Sequence, residues 1–129
     1  MALAPKLASL LKAHGVPVID ERVSPAMFRR RIAEQRAGDA LDAPFYIADL
    51  GAAEKRFRLW QRLLPRVEPR YAVKCNPDEM LLGTLQALGC GFDAASEQEM
   101  RLALKAGARS DQIIFANPVK ACSCVDYAS

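Results

Sequence analysis

The sequence predicts an α/β fold, and three observations lead to this class. Apolar residues make up 51% of the 129 residues and charged residues 26%, which is the composition of a globular domain. Four short β-type runs are each followed by a stretch of helical periodicity, at spacings of roughly 20 to 25 residues. No Gly-x-Gly-x-x-Gly motif follows the first run, which argues against a dinucleotide-binding fold. The alternation indicates a parallel sheet or a barrel with helices outside, and leaves both open.

The N-terminal part of the chain differs from this regular pattern. Three elements are predicted there: a helix over residues 5–14, an edge strand over 16–19 and a second helix over 24–37. The first helix stops at Gly15, a residue type that suits helix ends. Pro17 restricts the strand to a sheet edge, and Ser24 is a natural N-cap for the second helix.

The regular pattern begins at Pro44. The β-type runs cover residues 45–48, 70–74, 91–94 and 113–116. Helices are predicted over residues 52–64, 77–88 and 96–106 and after Pro118. Ser96 followed three residues later by Glu99 is typical of a capping box, which predicts where the third of these helices begins.

Polar residues close the four β-type runs, where α/β folds gather their functional groups. They are Asp49, Lys74, Asp93 and Asn117. We expect Lys74 to lie on a rigid strand and to be partly desolvated by apolar neighbours, which favours the neutral amine that forms Schiff bases. Asp93 would project from the adjacent strand, near enough to influence that amine or a cationic substrate. From the residues alone, a surface lysine and a turn or cap aspartate remain alternatives.

Several functional classes lose support. The net charge of +3 is mild and the basic run Arg29–Arg31 contains no aromatic residue, which argues against nucleic-acid binding. No run approaches the roughly 18 apolar residues of a membrane-spanning helix, and the start lacks an apolar signal, so we expect a cytoplasmic protein. Cys122 and Cys124 lie far from His14, the only histidine, so no metal site is expected.

Four segments carry a resemblance to a known family. They are Pro44-Phe-Tyr-Ile-Ala-Asp-Leu-Gly51, Tyr71-Ala-Val-Lys-Cys-Asn76, Gly89-Cys-Gly-Phe-Asp-Ala-Ala-Ser96 and Ile113-Ile-Phe-Ala-Asn-Pro-Val-Lys120. In this order and at these separations they resemble the eukaryotic-type ornithine decarboxylases, which depend on pyridoxal 5'-phosphate. The related diaminopimelate decarboxylases share the lysine segment but usually differ around Asp93, which favours ornithine as the substrate and leaves lysine possible.

The resemblance implies both a fold and a chemistry. Residues 44–129 would form the first half of a pyridoxal-phosphate-binding TIM-type (β/α)8 barrel, with four strand–helix units. Residues 1–43 would be an extension that packs with a C-terminal β domain. Lys74 would hold pyridoxal 5'-phosphate as a Schiff base, Asp93 would lie close to the active centre, and Glu99 would support it from just outside. A homodimer that converts ornithine to putrescine in polyamine biosynthesis is implied.

The sequence also departs from the family. Ala94 and Val119 stand where ornithine decarboxylases usually have cysteines, and we expect both to be tolerated packing changes. The family's cofactor-stacking histidine, glycine-rich phosphate loop and acidic partner of the ring nitrogen would follow Ser129. We therefore expect this chain alone to have little or no decarboxylase activity. A non-catalytic regulator resembling the antizyme inhibitors and an incomplete piece of an enzyme both remain alternatives.

Overall fold

The computed structural model describes residues 5–18, 24–36 and 46–128. In these ranges the chain forms six α-helices and three strands. In chain order they are α1 (Pro5–Ala13), α2 (Pro25–Arg36), α3 (Leu50–Leu63), β1 (Arg70–Ala72), α4 (Glu79–Ala87), β2 (Gly91–Ala94), α5 (Glu97–Lys105), β3 (Ile113–Phe115) and α6 (Cys122–Ala128). Two short turns of 3-10 helix, Val73–Cys75 and Ser110–Gln112, flank the strands.

The three strands form one parallel sheet in the order β1–β2–β3. Ala72 lies opposite Asp93 in the first pair, and Asp93 lies opposite Ile114 in the second. Helices α4 and α5 connect the strands, as parallel neighbours require. The predicted α/β class is therefore confirmed. The described strands form an open sheet, and closure into a barrel stays a prediction.

The core lies between this sheet and its helices. Val73, Leu82, Phe92 and Ala103 are each 0% exposed and pack in one cluster. A second cluster, formed by Phe57, Leu85 and Cys90, joins α3 to α4. Because strand residues alternate between faces, the burial of Phe92 against the helices directs its neighbour Asp93 to the opposite face.

The helix ends follow local rules. The side chain of Asp78 accepts a hydrogen bond from Leu81 N at 2.9 Å and begins α4, and Ser96 accepts one from Glu99 N at 3.2 Å and begins α5. After these helices the backbone turns at Gly89 and Gly107, with φ of 94° and 96°. Only glycine adopts this conformation without strain, which explains why both helices end where the sequence predicts.

Two predicted strands do not form in the described residues. Residues 46–48 are not in a strand and Tyr46 is fully exposed, while Phe45 lies outside the described residues. Residues 16–18 are not in a strand either, and Ile19 lies outside the described residues. The N–H group of Val16 instead donates to Leu11 O at 2.9 Å and closes α1. A strand needs a paired neighbour for its backbone groups, which an apolar run alone does not supply.

Helix α1 packs on the outside of α4. Leu7 and Leu11 are 2% and 8% exposed. A Cβ atom at Gly83 of α4 would lie 3.1 Å from the Leu10 side chain, so the glycine allows the two helices to approach closely. The packing of residues 1–43 with a C-terminal β domain stays a prediction.

Candidate active site

The carboxyl ends of the three strands meet at one edge of the sheet. Lys74 follows β1, Asp93 lies near the end of β2, and Asn117 follows β3. The structure thus brings three of the four predicted strand-end residues to one edge. The fourth, Asp49, instead caps α3 by accepting a hydrogen bond from Ala52 N at 3.1 Å.

Lys74 lies in the 3-10 turn Val73–Cys75, just past the strand rather than on it. Val73 is fully buried against Phe92 and fixes the turn, whereas Lys74 and Cys75 are exposed. Among the described residues Lys74 is therefore neither on the strand nor partly desolvated, and that prediction is wrong there. Within the described part of the chain, the Lys74 amine has no hydrogen-bond or ion-pair partner.

The loop that carries Lys74 is tied to both neighbouring elements. The Tyr71 hydroxyl donates to Asn76 O at 3.4 Å, and the Asn76 side chain accepts from Asp78 N at 3.1 Å. Burial raises the pKa of Tyr71, and the nearby Cys75 raises it further. The hydroxyl therefore remains a donor at neutral pH. The strand pattern gives no sign of this role for Tyr71, whose hydroxyl reaches forward over the turn.

Asp93 is half-buried on the sheet face opposite the helices. Its partners on the neighbouring strands are Ala72 of β1, which is two residues before Lys74, and Ile114 of β3, which is 46% exposed. The carboxylate and the amine therefore belong to adjacent strand ends. Within the described residues the two groups form no ion pair with each other.

Glu99 supports the end of β2 from the first turn of α5. Its Oε2 atom accepts from Ala95 N at 2.7 Å, while its own N–H donates to Ser96 Oγ. In a capping box the glutamate would accept from the N–H group of Ser96. The predicted motif forms with this difference, because the side chain reaches one residue further back and holds the backbone that leaves β2.

The end of β3 is held by two side chains. The amide of Asn117 donates to Ala95 O at 3.1 Å. The Lys120 ammonium donates to Phe115 O at 3.1 Å and to Asn117 O at 2.8 Å, and lies 4.6 Å from the centre of the Phe115 ring. Strand-end position identifies Asn117 from the sequence. The contacts of Lys120 are missed, although an Asn-Pro-x-Lys segment after a strand places its amine near those carbonyls.

The described residues contain no metal-binding cluster, no disulfide and no membrane-spanning helix. They hold no group of three or more His, Cys, Asp or Glu side chains that could bind a metal ion. The cysteines Cys75, Cys90, Cys122 and Cys124 are all free thiols. Among the described helices, none has the length and apolar character to span a membrane.

Comparison with known proteins shows a consistent set of relatives. The family model for the pyridoxal-binding domain of pyridoxal-dependent decarboxylases matches residues 50–129. The chain is 44% identical over 99 residues to ornithine decarboxylase 2 of Drosophila melanogaster, covering 77% of this chain and 25% of that protein. It is 44% identical over 100 residues to the ornithine decarboxylase of Mus musculus, covering 78% and 22%. The chain thus spans about a quarter of the length of these relatives.

Solved structures agree with this result. The arginine decarboxylase of Paramecium bursaria Chlorella virus superposes with a TM-score of 0.74 and 33% identity, covering 78% of this chain and 27% of that one. The ornithine decarboxylase of Entamoeba histolytica gives 0.72 and 33%, covering 78% and 30%. These matches confirm the predicted resemblance and pyridoxal as the cofactor of the family.

The site fits one part of that cofactor. The aldehyde of pyridoxal phosphate reacts with a primary amine that is accessible and not held in an ion pair or by hydrogen bonds. Lys74 meets both conditions within the described residues. Lys120, at the same edge, does not, because its ammonium is bonded to two backbone carbonyls.

Proposed function

Since this chain belongs to the family of pyridoxal-binding domains of pyridoxal-dependent decarboxylases, we propose that it supplies the cofactor lysine of an amino-acid decarboxylase. Lys74 is that lysine. The observation that carries the proposal is its position: an exposed amine on a rigid turn, at the sheet edge that also bears Asp93. The complete protein would be a carbon–carbon lyase.

Each residue of the edge has a distinct task. When bound, pyridoxal phosphate supplies a ring that accepts the electron pair left as the carboxylate departs as carbon dioxide. Lys74 holds the cofactor through its amine. The Asp93 carboxylate attracts the ammonium group of a substrate and orients it. Glu99 holds the backbone at Ala95, just beyond Asp93, and so acts through position rather than contact.

We propose ornithine as the substrate and putrescine as the product. The curated relatives at 44% identity are named ornithine decarboxylases. A lysine decarboxylase from Selenomonas ruminantium aligns over 86% of this chain with 32% identity and a TM-score of 0.69, which supports lysine as the second candidate. Assay of carbon dioxide release by the complete protein with each amino acid separates them: faster turnover of lysine would refute the ornithine proposal.

The remaining features of the complete protein follow the family resemblance. Residues 44–129 form part of a barrel and residues 1–43 an extension that packs on a C-terminal β domain. The protein acts in the cytoplasm as a homodimer. Light scattering of the complete protein tests the assembly, and a monomeric mass with full activity would contradict it.

Borohydride trapping tests the role of Lys74. The chain is mixed with pyridoxal phosphate, reduced, digested and mapped by mass spectrometry. Label confined to Lys74 is expected, together with its loss in Lys74→Arg and its retention in Lys105→Arg, which changes an exposed lysine of α5. Label spread evenly over many lysines, or equal total label in Lys74→Arg, would contradict the proposal.

A further inference from the structure

We propose that Asn117, supported by Lys120, is a positioning residue for Asp93. Its amide fixes the backbone that leaves β2 and thereby fixes the direction of the Asp93 carboxylate at the edge that bears Lys74. The inference rests on the function proposed for Lys74, and it adds residues that lie beyond the amine and the carboxylate themselves.

Side chains from two different elements hold Ala95 at both of its backbone polar groups. Its N–H group donates to Glu99 Oε2 at 2.7 Å, and its carbonyl accepts from Asn117 Nδ2 at 3.1 Å. The preceding carbonyl, of Ala94, accepts from Ala116 N at 2.9 Å. The sheet ladder therefore ends in a side-chain bond from Asn117, which continues the pairing of β2 with β3 by one residue.

The chemistry of Asn117 requires an amide. Its Oδ1 atom accepts from Val119 N at 3.1 Å, so its NH2 group is directed at the Ala95 carbonyl. An amide supplies both an acceptor and a donor, whereas a carboxylate of the same shape supplies acceptors alone. Aspartate at this position would keep the bond from Val119 and place a negative oxygen against the Ala95 carbonyl.

Lys120 holds the backbone from which Asn117 projects. Its ammonium donates to the carbonyls of Phe115 and Asn117, on either side of the peptides that leave β3. It also lies over the Phe115 ring, where a cation is attracted to the ring face. This lysine is thus a link between strand end and loop rather than a free amine.

The link reaches Asp93 through two residues of backbone. Asp93 is the third residue of β2, and Ala95 is the first residue after the strand. The Asp93 side chain has no hydrogen bond or ion pair within the described ranges, so its carboxylate takes its direction from the backbone that carries it and from packing. Beyond the ladder, the bond from Asn117 to the Ala95 carbonyl is the restraint that the end of β3 places on the backbone after Asp93. Loss of this bond therefore loosens the backbone that directs the carboxylate.

The first test is made on the 129-residue chain without cofactor. Asn117→Asp is compared with Gln112→Glu, a matched amide-to-acid change at the amino end of the same strand, where the Gln112 side chain accepts from Arg109 N. Loss of the bond to the Ala95 carbonyl should make opening of this segment about fivefold more frequent in Asn117→Asp, which is read as faster exchange of the Ala95 N–H group that Glu99 holds. The carboxyl NMR signal of Asp93 should also move. Gln112→Glu should change neither, and Lys120→Arg, which keeps donors for the carbonyls, should stay close to the wild type.

The second test asks whether Asn117 acts through Asp93. The rate of pyridoxal phosphate trapping at Lys74 is measured for the wild type, Asn117→Asp, Asp93→Asn and the double variant. Because Asp93 lies at the strand end next to that of Lys74, Asn117→Asp should change the trapping rate about threefold or more, and this change should disappear when Asp93 is already replaced, because coupled residues are non-additive. Equal changes in both backgrounds would mean that Asn117 serves stability alone and would overturn the inference.

The two proposals fail separately. If the wild-type chain shows no preference for Lys74, the proposed function fails, and the inference is then decided by the Asp93 carboxyl signal. A signal that moves in Asn117→Asp but not in Gln112→Glu supports it. A signal unchanged in both variants overturns it, whatever the trapping results.

Discussion

Replacing Gly91 with alanine should destabilise the sheet through a single methyl group. A Cβ atom at this position would lie 2.8 Å from the backbone oxygen of Gln112, the residue before β3. It would also lie 3.2 Å from Cγ and from a guanidinium nitrogen of Arg70. The Arg70 guanidinium crosses Gly91 to reach Asp111 O at 3.5 Å. The Arg70 side chain therefore occupies the space that a side chain at position 91 would need.

The expected loss is about 1–2 kcal/mol. Overpacking of a filled site costs about 1–3 kcal/mol. Removal of a glycine from the unfolded chain returns about 0.4–1 kcal/mol, because alanine has less freedom to lose on folding. Arg70 can swing away, but the Gln112 oxygen is backbone and can move only with the strand, so the overpacking term should dominate.

Urea unfolding followed by far-UV circular dichroism measures this difference. The matched control is Gly83→Ala in α4, where the new Cβ would meet only the flexible end of Leu10 at 3.1 Å. There a gain in helix propensity of up to about 1 kcal/mol opposes a small displacement of Leu10. The reasoning is refuted if Gly91→Ala is as stable as the wild type, or if both variants lose equally.

Three further predictions concern the helix cap and the buried groups. Ser96→Ala should lower the free energy of unfolding by about 1 kcal/mol, because Glu99 N loses its acceptor at the start of α5; a thermal scan that shows no loss would contradict this. Cys90 is 2% exposed and its Sγ donates to Pro69 O, whereas Cys75 is exposed. Iodoacetamide should therefore modify Cys75 first and Cys90 only at the rate of unfolding. Equal rates for the two thiols in a mass-resolved time course would contradict the buried position of Cys90. Burial raises the pKa of Cys90 above its ordinary value of 9.0, so the thiol loses its proton at a lower pH in the unfolded chain than in the folded one. The free energy of unfolding should therefore fall as pH rises above 9.0, and Tyr71, whose pKa is also raised, should add to the fall above 10.0. In Cys90→Ala the pH slope of the urea midpoint should be smaller, and an identical slope would contradict the assignment.

Local chemistry explains why much of the fold could be predicted from the sequence. The bounds of β2 and the starts of α4 and α5 depend on side chains within a few residues, such as Asp78 and Ser96. The helix ends at Gly89 and Gly107 depend on one backbone angle each. Signals of this kind are complete in a short window of sequence, so no knowledge of the tertiary structure is needed to interpret them.

Features that depend on distant partners were harder to predict. Whether residues 46–48 form a strand is decided by pairing along the open edge of β1, and an apolar run carries no information on that pairing. The exposure of Lys74 is decided by what covers one face of the sheet. Sequence position identified Lys74, Asp93 and Asn117 as neighbours at one edge, but the hydrogen bond that joins Asn117 to Ala95 links residues 22 positions apart in the chain.

Two lysines at one sheet edge illustrate how the fold gives identical side chains different chemistry. Lys120 follows β3, and its ammonium donates to two backbone carbonyls and lies over an aromatic ring, so reaction with an aldehyde would first break charge-assisted hydrogen bonds. Lys74 follows β1 on a turn anchored by buried Val73, and no described residue engages its amine. Both acceptors are backbone carbonyls, so replacing the side chain of Asn117 would leave them in place. On the role proposed for Lys74, we expect its selectivity over Lys120 to come as much from the restraint on Lys120 as from the freedom of Lys74, and trapping at Lys120 at the rate of Lys74 would show that those bonds do not persist in solution.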